Sequence, residues 1–315
     1  MRSSTPRLAT LSATAVATSL ALTGAVPVTA QDDTSSVVVT TEVLGSIVEQ
    51  LVGDAADVSV IMPSGANPHS YEASARDAER MLGADVLISN GLDLEESLTS
   101  ILETAGSDGV TWFQATDSIA VLEMADAEAH DEDSDADHEG EAAHDEDEDH
   151  DHEGEEAHDE DEDHDEDHDH GSEDPHIWTD PAAMIDVVEA LQPVLMEAGI
   201  DASVGAEALI TDLQALDLEV TEVISSVPAE DRKLVTGHES LGYFADRYGF
   251  EVIGAVIPGL STNGEPTARE LAELIANIQD NDVAAVFAEV GTPQAVPVAV
   301  GSDSGAELIS LSTSE

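Results

Sequence analysis

Histidine is the residue type with the clearest chemical potential in this chain, and its twelve copies fall into two groups. Nine lie in one acidic segment that runs from His130 to His170, and the other three are His69, His176 and His238. Neutral imidazole is the commonest protein ligand of zinc, and three imidazoles fill most of a tetrahedral site. Separations of 107 and 62 residues mean that only the fold could bring these three together. On residue type and spacing alone, ordinary surface or core histidines remain an equal alternative.

The acidic segment consists almost wholly of histidine, carboxylate and small residues, as in "HDEDEDHDHEGEEAHDEDEDHDEDHDHG" over residues 144–171. It has no apolar face to bury, so residues 126–173 are predicted to be disordered without metal. Closely spaced imidazoles and carboxylates form a flexible chelator, weaker at each site than a preorganised cluster. The alternative is a solvated charge run with incidental metal affinity. The accessory metal-binding candidates are His130, His138, His144, His150, His152, His158, His164, His168 and His170.

The charge of the chain limits its partners. The formal net charge is −62, and 29 of the 70 Asp and Glu residues lie between Asp126 and Asp174. The rest of the chain is also acidic, because only 8 Lys and Arg residues offset the remainder. Such a surface repels nucleic acid and anionic lipid and attracts cations. The absence of cysteine excludes disulfides, thiolate metal sites and a lipidated N-terminal cysteine.

Residues 1–30 have the features of a secretory signal peptide. Arg2 and Arg7 give a basic start, and "LATLSATAVATSLALTGAV" is a mildly apolar stretch rich in small residues. Val28 and Ala30 then form the small-x-small pattern of a cleavage site. The sequence therefore predicts export to a periplasmic or cell-surface space.

Short strand patterns alternate with helical patterns on both sides of the acidic segment, which indicates an α/β fold with mainly parallel sheets. Asp180-Pro181 is predicted to start a helix, and long helical sequence separates the two α/β halves. His69 and His238 follow predicted strands, at the carboxyl ends where open α/β sheets bind ligands. His176 lies between the acidic segment and the next helix.

Three motifs carry a family resemblance: "MPSGANPHSYEASARDAERMLGADVLISNGLDLEESL", "DPHIWTDP" and "TGHESLGYFADRYGF" with the later "STNGEPTARELAELI". Together they resemble the solute-binding proteins of zinc and manganese ABC transporters, over roughly residues 36–290 apart from the acidic segment. The resemblance implies two α/β lobes, each with a mainly parallel sheet flanked by helices, joined by one long linker helix with a metal cleft between them. The implied segments are an N-terminal lobe at 31–202, a linker helix at 203–226 and a C-terminal lobe at 227–315.

The same resemblance places His69, His176 and His238 on the family's three metal-ligand positions. Three histidines resemble the zinc branch, so Zn²⁺ is the expected metal and Mn²⁺ the alternative, since manganese prefers harder oxygen ligands. Glu315 is the candidate fourth ligand, with water as the alternative.

Two further carboxylates are assigned roles beside the metal ligands. Asp174 is expected either to accept a hydrogen bond from His176 or to be ordinary loop charge. By the same resemblance, Glu265 matches a family position near the cleft and is expected either to orient the site or to have a structural role.

The resulting functional hypothesis is a monomeric, non-enzymatic receptor that captures Zn²⁺ and delivers it to a membrane permease driven by a cytoplasmic ATPase. A secreted zinc buffer or adhesin without transport is the first alternative. A zinc hydrolase is the second, because three histidines and an open water position can also catalyse. His238-Glu239 begins like H-E-x-x-H, but Gly242 occupies the position of the second histidine.

Overall fold

The computed structural model describes residues 34–123, 173–290 and 292–312. The predicted signal peptide, the nine histidines of the acidic segment and Glu315 lie outside these ranges. Within the described residues, no helix combines the length and apolar character needed to span a membrane.

Strands and helices alternate as the sequence predicts. The strands are β1 (Ser35–Val39), β2 (Ala56–Val60), β3 (Val86–Ser89), β4 (Thr111–Gln114), β5 (Lys233–Thr236), β6 (Glu251–Ala255), β7 (Ala285–Glu289) and β8 (Glu307–Leu311). The helices are α1 (Glu42–Val52), α2 (Ala75–Leu82), α3 (Thr99–Ser107), α4 (Pro181–Glu197), α5 (Ser203–Ser225), α6 (Gly242–Tyr248), α7 (Ala268–Asp280) and α8 (Ala295–Ser304).

The strands form two four-stranded sheets with the same topology. The order is β2-β1-β3-β4 in the first sheet and β6-β5-β7-β8 in the second, and all the named strand pairs are parallel. In each sheet the second strand along the chain lies on one side of the first strand, and the third strand lies on its other side. This reversal opens a crevice between β1 and β3 and another between β5 and β7. The predicted fold class, two α/β lobes with parallel sheets, is confirmed.

Helices cover both faces of the sheet in the N-terminal lobe. Successive side chains of a strand point to opposite faces, so neighbouring residues pack against different helices. Val37 and Val39 on β1 pack with α1, α4 and the first half of α5. Val38 faces the other way and packs with Met81 of α2 and Leu102 of α3. Parallel strands covered in this way read as continuous apolar runs, as β1 and β3 do.

The sheet of the C-terminal lobe follows the same rule. Val235 on β5 and Val286 on β7 pack against Ile278 of α7 and Val300 of α8. The opposite face, with Leu234, is covered by α6. Both sheets are therefore held rigidly enough to fix the loops that leave their carboxyl ends.

Helix α5 connects the two lobes and is the longest helix of the described residues. Ala206, Leu209 and Leu213 in its first half are buried against the N-terminal lobe. Its second half approaches the C-terminal lobe, where Asp217 pairs with Arg247 of α6. The long helix expected between the lobes is thus present, packed at one end and more exposed at the other.

Candidate metal centre

Three buried histidines from distant parts of the chain meet at one point. His176 Nε2 lies 3.3 Å from His69 Nε2 and 3.1 Å from His238 Nε2. The three residues are at most 5% exposed. Among the described residues, they form the group whose potential ligand atoms all lie within 4.8 Å of one another. Two imidazoles come from the N-terminal lobe and one from the C-terminal lobe, so the point lies where the lobes meet.

His69 is positioned by the turn that follows β2. The 3₁₀ turn Pro68–Ser70 begins at Asn67, whose side-chain oxygen accepts a hydrogen bond from the His69 backbone N at 3.1 Å. The amide nitrogen of Asn67 donates to Thr262 Oγ1 of the C-terminal lobe at 2.7 Å. The same side chain therefore fixes the His69 backbone and links it to the other lobe.

His176 is positioned by a buried carboxylate two residues before it. Asp174 Oδ1 accepts hydrogen bonds from the His176 backbone N at 2.9 Å and from its Nδ1 at 2.7 Å. A proton on Nδ1 leaves the Nε2 lone pair free for a metal. Asn90, at the carboxyl end of β3, donates to the carbonyl of Pro175 at 2.8 Å and fixes the peptide before the histidine.

His238 follows β5 by two residues and faces the end of β7. Its Nδ1 lies 3.3 Å from Oε1 of Glu289, which is the last residue of β7. The hydroxyl of Ser240 donates to the same oxygen at 2.5 Å. A side chain at Gly237 would collide with the Glu289 carboxylate, so the absence of a side chain there permits the approach.

The electrostatic environment favours the neutral form of His69 and His176 and the charged form of Glu289. Burial and the two neighbouring imidazoles lower the pKa of His69 from 6.5 to about 3. Burial also lowers the pKa of His176, although the Asp174 carboxylate opposes this effect. Burial alone would raise the pKa of Glu289, but its contacts with His238, Ser240 and the backbone together outweigh burial and lower the pKa. Neutral imidazoles with buried anions behind them are suited to a divalent cation.

A cavity opens over the three histidines at the junction of the lobes. It is lined further by Asn67, Trp178, Ser240, Thr262, Glu289 and Thr292. Trp178 lies against His176, with ring centroids 5.4 Å apart, and shields one side of the site. Most of the other groups are polar, and they could hold a water molecule or an oxygen ligand beside a metal.

Ser261, Thr262 and Asn263 form hydrogen bonds with the N-terminal lobe beside the cavity. We call these hydrogen bonds the interlobe clasp. Ser261 Oγ donates to Glu96 Oε1 at 2.8 Å, and Asn263 Nδ2 donates to Glu96 Oε2 at 3.2 Å. Asn263 Nδ2 also donates to the His69 carbonyl at 3.0 Å. The loop between β6 and α7 is therefore tied directly to the backbone of one candidate ligand.

The remaining predicted residues lie at different distances from this centre. Asp174 contacts His176, as described above. Glu265 is exposed, and in its loop the contacts with the His69 turn come from Thr262 and Asn263 instead. Glu315 lies outside the described residues.

Several residues that shape the site were not identified from the sequence. Glu289 and Asn90 each stand at the carboxyl end of a strand, and Glu289 ends the strand beside β5, whose loop supplies His238. That position was the available signal, because polar groups at this edge of a parallel sheet converge on the ligand crevice. Ser240 carried no signal of its own.

A family model for ZnuA, described as the periplasmic component A of a zinc-uptake complex, matches residues 37–315. The manganese-binding lipoprotein MntA of Halalkalibacterium halodurans is 26% identical over 285 residues, which cover 89% of this chain and 79% of the relative. The zinc-binding lipoprotein AdcA of Streptococcus pneumoniae is 28% identical over 267 residues, 82% of this chain. This chain spans only 45% of the length of that relative.

Solved structures share the fold. The periplasmic zinc-binding protein TroA from Treponema pallidum superposes with a TM-score of 0.68 at 24% identity, covering 89% of both chains. A zinc-bound deletion mutant of ZnuA superposes with a TM-score of 0.67 at 20% identity, covering 90% of this chain and 92% of the other. At these identities the likeness extends to the fold alone.

Proposed function

The chain belongs to the ZnuA family of metal-binding solute-binding proteins, and from this premise we propose that it captures Zn²⁺ and delivers it to an ABC permease. The observation that carries the proposal is the meeting of His69, His176 and His238, whose Nε2 atoms converge where the lobes join. The metal is the cargo of the protein, and its capture is binding rather than catalysis.

Ligand type favours zinc over manganese. Three imidazole nitrogens suit zinc, whereas manganese prefers carboxylate, carbonyl and water oxygens. Relatives of both kinds exist, since MntA is named for manganese and AdcA for zinc. We assign zinc as the cargo and Mn²⁺ as the weaker competitor. Glu315 or a water molecule would complete the coordination.

Location and partners follow from the family. The ZnuA description is periplasmic, and the relatives MntA and AdcA are lipoproteins, so the chain acts outside the cytoplasmic membrane. The proposed partner is a membrane permease driven by a cytoplasmic ATPase, which the receptor meets as a monomer. The nine histidines of the acidic segment are proposed as accessory, weaker zinc sites that supply the cleft.

Metal competition on the mature protein tests the binding proposal. Wild type should bind one zinc ion tightly and exchange little of it for excess Mn²⁺. The double variant His69→Ala/His176→Ala should lose this tight site and keep only weak binding by the acidic segment. Tight one-to-one zinc binding by the double variant would contradict the proposal.

Zinc uptake by cells tests delivery and separates a receptor from a secreted buffer. Cells that lack this chain should take up less zinc at limiting concentration. Wild type should restore uptake, and the double variant should not. If uptake does not depend on the chain at all, the buffer or adhesin alternative is favoured.

A further inference from the structure

Glu289 occupies a special position in the C-terminal sheet. It ends β7, which is the neighbour of β5 across the crevice where the strand order reverses. His238 follows β5, so its imidazole and the Glu289 carboxylate leave the same edge of the sheet. Topology alone therefore brings this carboxylate to the imidazole that the C-terminal lobe supplies.

The contacts of Glu289 point toward His238 rather than toward packing. The residue is 4% exposed, and its Oε1 lies 3.3 Å from His238 Nδ1. His238 Nδ1 has no hydrogen-bond partner among the described residues, so this carboxylate oxygen stands near a buried nitrogen that lacks an aligned acceptor. Ser240 holds the same oxygen at 2.5 Å, while Oε2 has no hydrogen-bond partner among the described residues.

A buried carboxylate lowers the stability of the fold unless a positive charge nearby compensates its own charge. Burial of an ionised carboxylate with an unpaired oxygen destabilises a fold, and an apolar side chain would pack there at lower cost. The surroundings are nevertheless shaped to admit it, since any side chain at Gly237 would displace it. The N-terminal lobe contains a matching pair, because Asp174 accepts a hydrogen bond from Nδ1 of His176 at 2.7 Å.

We propose that Glu289 is the positioning residue of His238: it accepts a hydrogen bond from Nδ1–H and so presents Nε2 to the metal. The proposal rests on the function assigned to the three histidines above. Each lobe then contributes one buried carboxylate behind one imidazole. Imidazole ligands bind a metal in their neutral form and so leave the charge of a divalent cation uncompensated. The two carboxylates behind them offset this charge.

Affinity measurements on carboxylate variants test the proposal. Zinc affinity, measured by competition with a chromogenic chelator, should fall about 10- to 100-fold in Glu289→Ala. It should fall less in Glu289→Gln, because the amide oxygen can still accept from Nδ1–H. The matched controls are Glu307→Ala and Glu307→Gln, on the exposed start of the adjacent strand β8, and they should bind as wild type does. Equal affinities of Glu289→Ala and Glu307→Ala would overturn the proposal.

Nitrogen NMR of the zinc-loaded wild type removes any dependence on the folding of variants. His238 should show a protonated Nδ1 and a metal-bound Nε2. Zinc bound through Nδ1 would overturn the role of Glu289 and leave the three-histidine site intact. If His238→Ala binds zinc as tightly as wild type, the site itself is refuted, so the two failures are distinguishable.

Discussion

At the scale of single residues, the orientation of each imidazole depends on what its Nδ1 atom faces. Nδ1 of His176 lies 2.7 Å from the fully buried Asp174, whereas Nδ1 of His69 lies 3.9 Å from Glu96, whose side chain is 38% exposed. A buried acceptor fixes the tautomer and the ring together, and water competes with an exposed one. The ring of His176 is therefore held more firmly than that of His69.

Replacing Asp174 should weaken zinc binding. In Asp174→Asn the amide oxygen can still accept a hydrogen bond, but the negative charge behind the imidazole is lost. We expect zinc affinity to fall about tenfold or more. The control is Asp186→Asn, an exposed aspartate on α4, which should leave the affinity unchanged. Chelator competition gives both values, and equal affinities would contradict this role of Asp174.

The stability of the metal-free protein should fall as the pH falls. The pKa of His69 is about 3 in the folded state and near 6.5 when unfolded, so the unfolded chain binds more protons between these values. His69 should therefore lower the free energy of unfolding by up to about 1.4 kcal/mol for each pH unit below about pH 6. Urea unfolding of wild type and His69→Gln between about pH 7 and about pH 4.5 measures this. The variant should show a shallower slope, and identical slopes would contradict the assignment.

At the residue level, the sequence points to a side chain where its type is rare and gives no signal where its type is common. Only three histidines lie outside the acidic segment, and each is in the candidate site. Glu289 is one of 70 acidic residues, so its type carried no information. Its role depends on the pairing of β7 beside β5, which strand patterns alone do not fix.

At the scale of elements, the lobes are joined on one side by the interlobe clasp and on another by Arg247. The clasp is made by a short loop, and two of its hydrogen bonds go to the exposed Glu96. Arg247 of α6 instead binds one carboxylate, that of Asp217 on α5, with two hydrogen bonds at 2.7 and 2.6 Å. Arg247 also lies 3.0 Å from Asp180, the N-cap of α4. The clasp is the weaker connection, so opening of the cleft should begin there.

Removing the Asn263 amide should accelerate zinc release. Asn263→Ala loses two hydrogen bonds across the cleft, and each contributes about 0.5–1.5 kcal/mol. The dissociation rate should rise about tenfold, measured by stopped-flow transfer of zinc to a chelator. Asn277→Ala, an exposed change on α7, is the control. Equal rates for the two variants would show that the clasp does not retain the metal.

Arg247→Lys should destabilise the fold, because lysine cannot reproduce two parallel hydrogen bonds to one carboxylate. We expect the free energy of unfolding to fall by about 1 kcal/mol. Arg269→Lys is the control, since the Arg269 side chain is 86% exposed and pairs with Glu273 one turn along the same helix. That variant should change stability by less than about 0.5 kcal/mol. Equal urea midpoints for the two variants would contradict a role of Arg247 in joining the helices.

The last two elements were the hardest to predict. Helix α8 contains Pro297 and Gly301, which are poor helix formers, and its sequence has no clear apolar stripe. Tertiary packing nevertheless buries both residues, and the first-turn proline loses no helical hydrogen bond. Strand β8 is recognisable only through its pairing with β7. By contrast, the start of α7 is marked by the capping box of Thr267 and Glu270, which is a local signal within the sequence itself.

At the scale of the whole molecule, metal binding depends on ligands that both lobes supply. Each lobe holds its ligands on loops at the carboxyl ends of a rigid sheet, so the metal itself becomes part of the contact between the lobes. The described residues that flank the acidic segment meet, since Glu123 and Glu173 form an antiparallel bridge three residues before His176.

The most direct test of this account is zinc titration calorimetry on the mature protein and on a variant that lacks residues 126–173. We predict that the variant keeps one tight zinc site and loses only weaker binding. That result would place specific binding at His69, His176 and His238. Loss of the tight site with the deletion would contradict the account, because the acidic segment would then be the principal zinc site.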